Sequence, residues 1–123
     1  RHFPEAQVKY ISSGQSASVT GANGASVSVR ATTGALVGPP WQQRENGYVL
    51  RGGRSGVSVY HEPHVEFNKV ELERLAPVDV VVTPVEGQGL PGFELVHNSA
   101  EAARLVALLR PSTVLPMANG AID

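Results

Sequence analysis

The sequence contains no cysteine among its 123 residues. That excludes a disulfide framework and any thiolate-held metal, and it suits a reducing, intracellular setting. An excess of one charge sign is also missing. Ten basic residues face eleven acidic ones, a net charge of -1, so there is no electrostatic case for nucleic acid or an anionic membrane. Long apolar runs are absent: Val80–Val82 and Leu105–Leu109 fall far short of the ~20 residues a membrane span needs. What is plentiful is glycine and proline, 13 and 9 residues, in a chain whose apolar residues still make up 41%. Such a chain can bury roughly two-thirds of its unfolded surface, so one soluble, β-rich globular domain is expected. It opens on Arg1 and not on Met, and is expected to be trimmed or incomplete at its start.

The first half reads as short strands joined by tight turns. Gln7–Ile11 and Ala17–Thr20 alternate loosely. Asn23-Gly24, set between Ser18-Val19-Thr20 and Ser26-Val27-Ser28-Val29, predicts a type I′ hairpin, because both central residues of that turn need positive φ. A second hairpin is expected from Tyr48-Val49-Leu50 through Gly52-Gly53 to Val57-Ser58-Val59-Tyr60. Between them, Gly34–Gln43 contains Pro39-Pro40-Trp41. Two prolines fix φ and remove two amide donors, so this is a stiff crossing loop.

The second half changes period. Asn68-x-x-Glu71 is a capping box, with Phe67 and Leu72 at the staple positions, and predicts a short helix over Lys69–Leu75 stopped by Pro77. Asp79–Val85 is a nearly continuous valine run, the mark of a strand covered on both faces in a parallel sheet. Glu86–Gly92 reads as loop. Asn98-x-x-Glu101 opens a second helix, whose Ala102, Leu105, Val106 and Leu109 form one apolar stripe before Pro111. Thr113–Met117 returns as a strand. The expectation is an α/β fold: antiparallel hairpins over 1–61, then β-α-β-α-β over 62–123, two right-handed crossovers on one mixed sheet.

In open α/β sheets ligands bind beyond the carboxyl ends of the strands. Three ends are readable: His61-Glu62-Pro63-His64, Thr83-Pro84 with its loop, and Met117-Ala118-Asn119-Gly120. Only the first carries metal-ligand chemistry. His61, Glu62 and His64 could bind a hard or borderline cation, with Pro63 stiffening the loop. A strand that simply ends in polar residues would be spelled the same way, and a zinc site needs three or four converging ligands. His97 at a helix entry and His2 in a tail read as surface residues. No G-x-S-x-G, P-loop or dinucleotide-binding glycine pattern is present. Arg104 and Arg110 read as a solvated helix face that complements the helix C-terminus. Trp41 reads as a lid packed on the sheet or, with Tyr48, as a contact for a ligand or partner.

The order of these pieces resembles the C-terminal half of the metallo-β-lactamase fold, a sandwich of two sheets between helices. The resemblance runs through Val29–Thr33, Asn46-Gly47-Tyr48-Val49-Leu50, Val57–His64, Val78–Val85, Phe93–Leu109 and Val114–Gly120. It is nearest to the lactonase-like branch of metal-dependent hydrolases. Gly38-Pro39-Pro40-Trp41, Glu45-Asn46-Gly47-Tyr48 and Tyr60-His61-Glu62-Pro63-His64 look most like a cyanobacterial and plant type, which implies a chloroplast location. The resemblance also implies departures. The family's H-x-H-x-D-H motif belongs to the N-terminal half, outside these residues. Gly34-Ala35-Leu36 stands where a histidine is expected, Glu62 or His64 stands in place of the bridging aspartate, and Ala118 replaces the last histidine. Alanine has no donor atom.

Three functions follow as expectations. The first is a degenerate metallo-β-lactamase-like subunit with a binding or structural role and no cofactor of its own. Its inner sheet face would be covered by an N-terminal half or a protein partner. The second is an ester or lactone hydrolase whose zinc is held mainly by that unseen half, with His61, Glu62 or His64 contributing. The third is an unrelated β-rich adaptor that uses Trp41 and Tyr48 as contacts.

Overall fold

The computed structural model of the chain describes residues 8–90 and 93–117. His2, Gln7, Gly92 and residues 118–120, with the Ala118 substitution, lie outside them. The first hairpin forms as β1 (Ser16–Thr20) and β2 (Ser26–Thr33), but its turn differs from the type I′ expectation. Thr20 faces Ser26, Gly21 N–H donates to Ala25 O at 2.8 Å, and Gly24 N–H donates to Gly21 O at 2.9 Å. Only Gly24 takes a positive φ there, +75°, which is the three-residue loop with a glycine bulge. Asn23 contributes through its side chain, accepting Ala25 N–H at 3.0 Å. Residues 8–11, expected as a strand, are irregular.

The second hairpin joins β3 (Asn46–Gly52) to β4 (Ser58–His61). Its turn lies over 53–56 and not on Gly52-Gly53, because Gly53 N–H is spent on Ser26 O at 2.9 Å and Gly56 supplies the positive φ of +69°. Residues 34–43 cross between the hairpins without regular structure, as the prolines require.

Both predicted helices form. In α1 (Lys69–Glu73), Asn68 Oδ1 accepts Glu71 N–H at 3.1 Å; in α2 (Ser99–Leu109), Asn98 Oδ1 accepts Ala100 N–H at 3.0 Å. The first is shorter than the expected 69–75. β5 (Val80–Pro84) and β8 (Thr113–Met117) pair in parallel, and β5 pairs in parallel with β4. The crossover between β5 and β8 carries a small hairpin, β6 (Gln88–Leu90) and β7 (Phe93–Val96), within and after the stretch read as loop. Pairing satisfies backbone groups that would otherwise depend on water.

The main sheet runs β1-β2-β3-β4-β5-β8. Its pairing register separates two faces. One carries Val49, Tyr60 and Val81, which pack with Leu72, Ala102, Leu105 and Leu109 of the two helices into the core. The other carries Val27, Val29, Leu50, Tyr48, Val59, His61, Val80, Val82 and Leu115. No described helix lies on this second face. Its valines are half-buried at the centre, and Val19 and Leu115 at the margins are 53% and 51% exposed. The described residues thus form a mixed α/β layer, open on one side.

Candidate functional site

Strand alternation splits the motif at the end of β4. His61 shares the open face with its cross-strand partner Tyr48. Its Nδ1–H donates to Val82 O at 3.2 Å, which leaves Nε2 with the free lone pair. Glu62 turns to the opposite side and is fully buried. Its Oε2 accepts His64 N–H at 3.1 Å and Glu66 N–H at 2.9 Å. Those two amides flank Val65, which holds a left-handed φ of 61° with its side chain in the core. A β-branched residue in that conformation is strained by about 1–3 kcal/mol, and the carboxylate is what ties the tight loop down.

His64 lies in the same loop. Its Nδ1 stands 3.5 Å from Glu62 Oε1 and 3.5 Å from Glu45 Oε2, too far for a normal hydrogen bond to either. Burial pushes the Glu62 carboxyl above its usual range, although the Glu66 and His64 amides favour its anion. Burial, then the Glu62 charge, also pushes the Tyr60 phenol up. Glu66 goes the other way. Its partial burial is outweighed by Arg44, which pairs with it, and by Leu36 N–H at 3.1 Å, so its carboxyl is held below the ordinary value.

The three candidate ligands therefore do not converge. Among the described residues no group of three histidine, aspartate or glutamate side chains could hold a metal ion. Glu62 is a loop staple pointing into the helix side, away from His61. The donors among the described residues do not fit a zinc centre by themselves, and no reaction step is assigned to them.

Trp41 is 84% exposed, so the packed-lid expectation is corrected: the indole is not packed on the sheet. Tyr48 lines a hollow of about 690 Å³ on the open face, beside Tyr10, Ile11, Val29 and Arg44. Trp41 is not among its lining residues. His97 donates its backbone N–H to His64 O at 2.9 Å, joining β7 to the Glu62 loop. Arg104 pairs with Glu101 on the surface of α2, as a solvated helix face would have it.

Sequence reading missed Thr32, Gly47 and Tyr60, which gather around Glu62. A methyl on Gly47 would stand 2.6 Å from Thr32 Oγ1, 3.0 Å from Tyr60 OH and 3.1 Å from Glu62 Cγ. The one available signal was glycine inside a strand, which marks close approach of another group.

Comparison with known proteins locates this layer. Residues 2–118 match the family model described as a β-lactamase superfamily domain. A solved structure from Thermotoga maritima, assigned as a Zn-dependent hydrolase of the metallo-β-lactamase superfamily, is similar with a TM-score of 0.59 at 18% identity. The match covers 89% of this chain and 50% of that one, so the chain spans half the length of the structure it resembles. No curated protein matches it.

Proposed function

This chain belongs to the β-lactamase superfamily, and from that premise we propose that it is one layer of a larger body, with a binding or structural role and no metal centre of its own. The open sheet face carries the proposal. Val27, Val29, Leu50, Val59, Val80, Val82 and Leu115 form a continuous apolar surface, and soluble proteins rarely leave such a patch uncovered. The cover is an N-terminal half of the same protein or a partner chain. That His61 faces the open side while Glu62 is buried on the other supports the non-catalytic part of the reading. The test is zinc content and ester or lactone turnover of the full-length protein. Neither is expected; stoichiometric zinc together with turnover overturns the proposal.

His61 favours a second reading, a metal-dependent hydrolase whose main ligands lie in the other half. Its Nδ1–H is held by a backbone carbonyl, the arrangement that orients a metal-binding imidazole. Zinc, when bound, would polarise a carbonyl and activate water. His61 would hold it through Nε2 from this face. His61→Ala then lowers zinc content without altering the far-ultraviolet circular dichroism, and unchanged zinc content rejects this reading.

A further inference from the structure

A hollow of about 370 Å³ lies where α1 meets the end of β2. Arg30 and Arg74 line it together with Ser13, Thr33, Asn68 and Glu71. Register sets Arg30 opposite Val49, on the face of the sheet that the helices cover. Its Nε is buried and has no hydrogen-bond partner, and neither arginine forms an ion pair among the described residues. The carboxylate in the hollow is turned to the backbone instead: Glu71 Oε2 accepts the Thr33 amide at 2.9 Å. A buried guanidinium N–H without an acceptor is costly. Two unpaired guanidinium groups on one hollow also repel each other, and an anion between them relieves both costs.

We propose that this hollow is a binding site for a singly charged oxyanion, a carboxylate or the monoanion of a phosphate ester. Charge sets the number, because the two guanidinium groups less the Glu71 carboxylate leave one positive charge. Guanidinium geometry sets the class, since its parallel N–H groups fork onto the paired oxygens of a carboxylate or phosphate. Neutral donors complete the lining. Asn68 spends its Oδ1 on the Glu71 amide at 3.1 Å, which leaves its Nδ2 group to donate. Ser13 Oγ lies 2.8 Å from Thr33 Oγ1, and with Thr33 as the donor of that bond the Ser13 hydroxyl donates outward. These groups come from the segment before β1, from β2 and from α1 with its cap, so folding alone brings them together. Arg30 is on the opposite side of the sheet from His61, and the site does not depend on what covers the open face.

The test is titration of the full-length protein with acetate and with inorganic phosphate at constant ionic strength, followed by NMR of the arginine Nε–H signals, with chloride as the control. Saturable movement of the Arg30 signal is expected with at least one of the two oxyanions, and the tighter one names the class. Arg74 is exposed, so Arg74→Gln should fold normally and weaken binding about tenfold or more, as loss of a charge-assisted hydrogen bond does. Arg30→Gln should abolish binding; should that variant fail to fold, Arg74→Gln decides alone. Glu71→Gln keeps an acceptor for the Thr33 amide but removes the charge, and should shift preference from acetate towards the more highly charged phosphate. An unchanged preference rejects the single-charge assignment. No saturable movement with either oxyanion overturns the proposal, as does equal movement with chloride or binding that Arg74→Gln leaves intact.

Discussion

The two faces of the six-stranded sheet are made by the same strands, and alternate residues of each strand serve one or the other. On the helix side, Val49, Tyr60 and Val81 are 5%, 0% and 0% exposed beneath α1 and α2. On the other side, Leu50, Val59 and Val80 are equally apolar but only half-buried. Hydrophobicity is thus nearly the same on the two sides, while burial is not. The described residues supply a helical layer on one side of the sheet, and the proposed reading places a second layer on the other. Charge differs as well. The Glu62 carboxylate is buried on the helix side, whereas the open face near β4 carries the His61 imidazole beside Tyr48.

The largest effect that would sharpen this contrast is cavity formation. Leu105→Ala, at a site 0% exposed, should cost about 2–5 kcal/mol in urea denaturation. Leu50→Ala makes the same chemical change on the open face. It should cost about 1 kcal/mol or less in the 123-residue chain, and approach the Leu105 value in a protein that carries the covering layer. Equal costs in the chain alone would break the comparison.

Glu62 comes next. Glu62→Ala strands two partly buried amides, His64 and Glu66, and should cost about 1–3 kcal/mol. Its pH dependence has a definite sign. The folded carboxyl lies above its ordinary 4.5, so the folded state binds the proton more tightly than the unfolded chain does. Stability from this group is full below that value and declines as pH rises through the folded one. Glu62→Gln should flatten the decline, as stability measured from pH 4 to 7 would reveal.

A smaller loss, about 1 kcal/mol, is expected from Asn98→Ala, which removes the acceptor for Ala100 N–H. Smallest is Asp79→Asn at the exposed start of β5. Asp79 accepts from the Ser58 hydroxyl and amide, both at 2.7 Å, and those bonds hold its carboxyl below the usual 3.8. Its contribution is present above that value and lost as pH falls through the lower folded one, opposite in sign to Glu62. A titration of stability from pH 2 to 6 should therefore differ between wild type and Asp79→Asn on its acid limb alone.

Elements with strong local chemistry were legible in the sequence. Asn68 and Asn98 cap helices where the spacing places them, and Thr113–Met117 is the returning strand with the expected bounds. The valine run over 80–84 does pair in parallel on both sides. Turn geometry was read less well. The first hairpin was assigned a two-residue turn on Asn23-Gly24 and the second was centred on Gly52-Gly53, yet each uses a longer loop with one glycine at positive φ, because the strand register on either side decided how many residues were left over. The candidate site was legible only as a spelling. His61, Glu62 and His64 are neighbours in the chain; alternation sends the first two to opposite sides once β4 runs through His61, and the sheet decided which side is covered.

The sequence by itself determined the two helices, the main-sheet strands from Ser16 on, the caps, the stiff proline crossing and the resemblance to a two-layer family. Periodicity and capping act within a few residues and need no partner to be read. Only the tertiary structure decided that Glu62 is a buried staple, that His61 looks outward, and that Thr32, Tyr60 and Gly47 meet beside the carboxylate. Those outcomes depend on which strand lies next to which, a contact between residues tens of positions apart that no local pattern encodes.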